Sequence, residues 1–153
     1  MARTVIFLDI DGVLVERFRQ PAPTDEWTCC SLFNGEAVLL LREVTERNRA
    51  ELVISSTWRM FGMDVISARL TQAGWPNPPI IGFTPDLSGN NSNSRGNEIQ
   101  VWLNENSVET FVIVDDDDDM LSEQMPRFVR CNREQGFTSR EVEAVNQVLN
   151  TRL

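Results

Sequence analysis

The stretch Val5-Ile6-Phe7-Leu8-Asp9-Ile10-Asp11-Gly12-Val13 decides how the rest of the chain is read. A short apolar run closed by acids and a glycine reads as a buried strand that stops abruptly. Asp9 and Asp11, one residue apart, can face the same small space once the strand has given way to a loop, and Gly12 permits that turn. Acids at strand ends also serve simply as terminators and caps. An apolar strand running into D-x-D-G is a narrower pattern, because open parallel sheets bind ligands just beyond the carboxyl ends of their strands.

Working outward, the remaining apolar runs alternate with amphipathic ones. Residues 14–33 carry Pro21, Pro23 and a Trp27-Thr28-Cys29-Cys30 patch and read as a flap over the strand end. Asn34-Gly35-Glu36, with Val38, Leu39, Leu41 and Val44, predicts a helix to about Arg49. Leu52-Val53-Ile54 is a second buried strand that runs into Ser55-Ser56-Thr57-Trp58-Arg59. A strand end rich in hydroxyls and backbone N–H groups is a phosphate cradle. A helix over Met63 to Ala73 stops at Gly74, and Pro76, Pro78 and Pro79 lead into a third strand, Ile80 to Phe83.

Thr84 to Ser94 has the composition of a loop, after which Arg95-Gly96 opens a helix with Ile99, Trp102 and Leu103 inside. A fourth strand, Phe111 to Val114, ends in five consecutive aspartates, Asp115 to Asp119. A short strand at Phe128-Val129-Arg130, a turn at Gly136 and a helix capped by Thr138 with Glu141 three residues on complete the pattern. Alternating strands and helices with apolar strands call for a three-layer α/β/α Rossmannoid parallel sheet, expected to form one domain over residues 1–153.

Composition removes several chemistries at once. The 153 residues include 14 basic ones, all arginine, and no histidine or tyrosine. Histidine triads, lysine Schiff bases, a P-loop lysine and His-ligated zinc are therefore excluded. Acid and base work falls to carboxylates. A net charge of -9 argues against an extended duplex nucleic-acid surface, though a single strand end can still be bound locally. Cys29, Cys30 and Cys131 match no zinc spacing and read as reduced thiols of a cytoplasmic protein. The N-terminal apolar run is too short for a signal peptide or membrane span, so no membrane partner is expected.

Three strands thus end in chemistry: Asp9 and Asp11, Ser55 and Ser56, and the Asp115 cluster, with Arg95 opening a helix nearby. In a doubly wound sheet all such ends lie on one edge. This order, D-x-D-G, then Ser, then a basic residue at a helix start, then Asp-Asp, resembles the haloacid dehalogenase (HAD) superfamily. The runs SSTWR, RGNEIQVWL and FVIVDDDDDM are similar to a small branch of capless HAD phosphatase domains, some of which occur in RNA-repair proteins. The intervals after the first and second motifs leave no room for a large cap domain.

The resemblance implies Asp9 as nucleophile and Asp11 as general acid/base, both also at the metal, and Asp115 with Asp116 as Mg²⁺ ligands. It also implies phosphate binding by Ser55, with Ser56 beside it, and by Arg95 in the role usually filled by lysine. Physical chemistry supports these roles independently. Phosphoryl transfer needs in-line positioning and neutralised oxygens. A carboxylate attacks only when its charge is screened from the phosphate, as a bound Mg²⁺ does. The expected function is a Mg²⁺-dependent phosphomonoester hydrolase working through an aspartyl-phosphate. Its substrate is left open, with a nucleotide or polynucleotide end as the first expectation.

Plainer readings stand beside these. Ser55 also suits a helix cap, Arg95 a solvated helix start, and Asp117 to Asp119 caps or hydrated acids. Trp58 suits core packing or a substrate base, and Arg59 a substrate phosphate. Two other functions are open: a phosphate- or Mg²⁺-binding module without turnover, and a signalling receiver, the latter disfavoured by the absence of lysine. The oligomeric state is not legible.

Overall fold

The computed structural model describes residues 3–15, 32–87 and 94–151. Five strands form one parallel sheet: β1 (Thr4–Leu8), β2 (Glu51–Ile54), β3 (Ile80–Phe83), β4 (Thr110–Asp115) and β5 (Phe128–Arg130), in the order β3-β2-β1-β4-β5. Four α-helices accompany them: α1 (Gly35–Arg47), α2 (Met63–Gln72), α3 (Ser94–Glu105) and α4 (Ser139–Asn150). The α/β/α Rossmannoid architecture expected from the sequence is thus present, with no cap domain among the described residues.

Strand alternation explains why the runs are apolar throughout. Ile6, Leu8, Leu52, Ile54, Val112 and Val114 pack into one core with Val38, Leu41, Ile66, Leu70 and Val145, from α1, α2 and α4. Val5, Phe7, Val53, Phe111 and Ile113 point the other way, into a core with Ile99 and Trp102 of α3. Successive strand residues face opposite sides, so a strand covered on both faces has no polar face to show. Burying one such Leu, Ile or Phe side chain contributes about 1.5–3 kcal/mol.

Chain order makes β1 the centre. From β1 the chain builds outward through β2 to β3, returns under α3, and places β4 and then β5 on the other flank of β1. The reversal creates a crevice at the carboxyl ends of β1 and β4, where open α/β sheets bind their ligands.

Several boundaries differ from the sequence expectation. α1 ends at Arg47, because Asn48 closes the last turn and Arg49 takes a positive φ of 50°. Short 3₁₀ turns occupy Thr57–Phe61 and Ser122–Arg127. The second opens without a side-chain cap from any of the five aspartates; Gln124 Oε1 instead accepts from the Leu121 amide. Within the expected flap, residues 16–31, with Cys29 and Cys30, lie outside the described residues, as do residues 88–93 of the expected loop.

Candidate active site

Strand register brings the chemistry together. Leu8 pairs with Ile54 on one side and with Val114 on the other, so Asp9, Ser55 and Asp115 are the next residues at one level of the sheet. The ladder continues through that level: Asp9 N donates to Val114 O at 3.0 Å, and Ser55 N donates to Leu8 O at 2.8 Å. Neighbouring strands lie about 4.8 Å apart, which is the spacing of side chains gathered round one small ligand.

Beyond Asp9 the chain turns sharply. The amides of Val13, Leu14 and Val15 all donate to Ile10 O, and Gly12 N donates back to Val15 O. Gly12 takes φ +78°, and a Cβ there would sit 2.3 Å from Asp116 Oδ2. Only glycine satisfies both the left-handed backbone and that close approach. Asp11, projected by this turn, accepts a hydrogen bond from Trp58 Nε1 at 3.1 Å.

One carboxylate oxygen from each of Asp9, Asp115 and Asp116 lies within 4.8 Å of the others. All three side chains are buried. The Asp117 amide donates to Asp115 Oδ1 at 3.0 Å, fixing that carboxylate's orientation. Arg133 Nε stands 3.6 Å from Asp116 Oδ2. Arg95, in the first turn of α3, donates to Ser55 O and places NH1 3.5 Å from Asp9 Oδ1 and 3.8 Å from Asp115 Oδ2. The turn is held against the chain beyond β4 by Gly96 N donating to Asp119 O and Gln124 Nε2 donating to Gly96 O. A Cβ on Gly96 would lie 2.6 Å from the Leu121 amide nitrogen, so this contact also requires glycine.

Crowded buried acids ionise reluctantly. Burial, and then the neighbouring Asp115 carboxylate, pushes Asp9 well above the usual carboxylate range, while Arg95 pulls it down. Burial likewise raises Asp115 to about 7 against the pull of Arg95. Arg95, with the half-exposed Arg133 at the edge of the group, does not balance three close carboxylates. A divalent cation with hard oxygen ligands would, and three buried carboxylate oxygens within 4.8 Å of one another are a donor set of the kind that holds one. The donor set therefore fits Mg²⁺.

The serines divide their work differently from the sequence expectation of a shared cradle. Ser56 Oγ accepts from Trp58 N at 3.1 Å and caps the 3₁₀ turn. The capping role open to Ser55 thus belongs to its neighbour. Ser55 Oγ is buried and makes no hydrogen bond among the described residues. An orphaned hydroxyl beside a cation is what a phosphoryl oxygen would satisfy.

The other expected residues separate. Asp11's carboxylate is not part of the three-acid group. Trp58 is fully buried, edge-on to Phe33 and Phe61, and its indole N–H nonetheless reaches the site. Arg59 does not stand as a ready phosphate contact: Glu98 and Asp86 take its guanidinium at 3.0 and 3.3 Å. Asp117 and Asp118 are exposed. Cys131 is a buried thiol whose pKa burial drives upward, and it adds no nucleophile. Sequence reasoning missed Glu98, Arg133 and the Trp58–Asp11 bond. All three depend on contacts between distant segments that no local pattern announces.

A parallel sheet whose switch point gathers a D-x-D turn, a serine, a basic side chain and an Asp pair defines the class of HAD-like phosphotransfer folds. The family model of the HAD domain in Swiss Army Knife RNA repair proteins matches residues 5–142, and the chain belongs to that family. No curated protein and no protein of solved structure matches it. Membership supports a phosphatase-type hydrolase in general terms. No helix among the described residues is long and apolar enough to cross a membrane.

Proposed function

We propose that the chain is a Mg²⁺-dependent phosphomonoesterase that works through an aspartyl-phosphate on Asp9. The observation that carries this reading is the buried group of Asp9, Asp115 and Asp116 beside Arg95 and the orphaned Ser55 hydroxyl. Asp9, Asp115 and Asp116 would hold the metal. When bound, Mg²⁺ supplies the positive charge that keeps these carboxylates ionised and screens an incoming phosphate from them.

Ser55 Oγ and the Arg95 guanidinium hold the phosphoryl oxygens. A carboxylate oxygen of Asp9 attacks phosphorus, the bond to the leaving oxygen breaks, and Asp11 gives that oxygen its proton. Asp11 then takes a proton from water, which attacks the same phosphorus, breaks the bond to Asp9 and releases inorganic phosphate. Proton transfer by a positioned carboxylate is worth about a hundred- to ten-thousand-fold. Asp11 suits this role because it stands outside the metal group, held by Trp58. A nucleotide or nucleic-acid end is the first substrate class to try, within one domain spanning the chain.

Hydrolysis of p-nitrophenyl phosphate with and without Mg²⁺ tests the reading. Turnover that needs the metal and vanishes in Asp9→Asn is expected; unchanged hydrolysis in that variant refutes the nucleophile. Mg²⁺-dependent beryllofluoride binding with no turnover on any phosphoester would leave a binding module instead.

A further inference from the structure

A cleft of about 440 Å³ opens at the carboxyl edge of the sheet, lined by Thr57, Arg59, Met60, Phe83, Thr84 and Asp86. It lies where β2 and β3 end. Thr57 follows the Ser55-Ser56 pair directly, and Thr84 N donates to Ile54 O at 3.0 Å, so one wall is the chain leaving the strand that carries the orphaned hydroxyl and the other is paired to the end of that strand. Resting on the phosphatase reading, we propose that this cleft receives a neutral planar ring on the leaving group, the base of a nucleoside monophosphate.

The walls argue for a ring. Met60, at 77% the most exposed of the large apolar side chains among the described residues, shares the cleft with Phe83. A polarisable thioether and an aromatic side chain are the surfaces on which a flat heterocycle stacks.

Charge argues for one phosphate and against several. The cation in the cleft is already committed: Arg59 NH2 lies 3.0 Å from Glu98 Oε2 and 3.3 Å from Asp86 Oδ1, and NH1 donates to Thr84 Oγ1 at 3.4 Å. Glu98 is buried and also accepts from the Leu87 amide at 2.8 Å. Among the described residues, one arginine against two carboxylates leaves the cleft no net positive charge for a second phosphate or a following backbone phosphate. The same clamp ties the turn after β2 to the segment after β3, so the walls are set before substrate arrives.

The test compares kcat/KM for glycerol phosphate, a nucleoside 5′-monophosphate, the matching diphosphate and a phosphotyrosine peptide, in the wild-type chain and in Met60→Ala. The inference expects the nucleoside monophosphate to lead glycerol phosphate by roughly tenfold or more, the stacking of one base. Most of that lead should disappear in Met60→Ala, through KM, and the diphosphate should be the poorer nucleotide. An equal rate on glycerol phosphate, a lead that survives Met60→Ala, or preference for the diphosphate or the peptide overturns the cleft assignment while the phosphatase reading stands. If no ester is hydrolysed that reading fails, and the cleft is then judged by ligand-observed NMR with an unphosphorylated nucleoside: binding weakened in Met60→Ala upholds it, and no binding overturns it.

Discussion

Trp58 Nε1 donates a hydrogen bond to Asp11 Oδ1 across 3.1 Å, joining a fully buried indole of the β2 edge to the acid that leaves β1. The same side chain fills the core and aims the proposed proton carrier. Trp58→Phe keeps an aromatic ring but removes the donor. A lost hydrogen bond of this kind costs about 1 kcal/mol of stability, to which the smaller ring adds a packing loss. If aiming matters, kcat falls about tenfold or more with KM little changed, because misplacing a reacting group acts on the chemical step. A kcat equal to that of the wild-type chain would leave Trp58 a core residue only.

Asp11→Asn removes the proton carrier and leaves the three-acid group in place. The expected loss in kcat is about 10²- to 10⁴-fold on a poor leaving group such as an alkyl phosphate. p-Nitrophenolate leaves without much protonation, so the loss should be smaller there. Equal losses on the two esters would contradict the leaving-group proton assigned to Asp11.

Asp9 and Asp115 give the metal-free chain a pH signature. Unfolded aspartates titrate near 3.9, whereas burial holds Asp9 well above that range and Asp115 at about 7. Across that interval the folded state binds more protons than the unfolded one. The stability these groups contribute is therefore present at low pH and lost as pH rises through about 7. In EDTA, the Tm contribution from this pair should fall between about pH 4 and about pH 7. Mg²⁺ should restore it most at the upper end, because the cation binds the ionised carboxylates; at a hundred times Kd it adds about 2.7 kcal/mol. A Tm indifferent to Mg²⁺ at the upper pH would remove the metal from the site.

What the sequence made legible, and what it did not, follows the range of the interactions. The strands were readable because each is an apolar run bounded by a turn, and α1 and α4 because Asn34 and the Thr138–Glu141 pair start them. The D-x-D-G turn was readable because Gly12 sits where φ is positive. That Asp9, Ser55 and Asp115 would stand level was not contained in any one segment; it comes from the register of β1 with both neighbours. That Ser56 and not Ser55 caps the turn after β2 was illegible for a related reason. Adjacent hydroxyls look alike in sequence, and only the entry geometry of the 3₁₀ turn decides which one caps it.

The contacts of Arg95 say what a fork adds at this position: it reaches the Ser55 carbonyl as well as the Asp9 and Asp115 carboxylates. A lysine keeps the charge and loses the fork. Arg95→Lys should therefore retain activity within about tenfold of wild type, while Arg95→Met, which loses the charge, should drop by about 10² or more. Equal losses in the two variants would show that the fork, and not the charge, is what the site needs.

Glu98 offers a separation of architecture from chemistry. Its carboxylate is buried, lies 3.0 Å from Arg59 NH2 and accepts from the Leu87 amide, so it joins α3 to both loops at the sheet edge. Removing one partner of a buried ion pair costs about 3–5 kcal/mol, and about the lower figure is expected here because Arg59 keeps Asp86 at 3.3 Å. At about 2–4 °C per kcal/mol for a chain of this size, Glu98→Ala should lower Tm by roughly 10 °C. Glu98→Gln keeps the shape and an acceptor for the Leu87 amide, so its loss should be the smaller one. Differential scanning calorimetry of the two variants in EDTA measures the difference without any reliance on turnover. A Glu98→Ala chain as stable as wild type would mean that the Arg59 clamp does not hold the edge together.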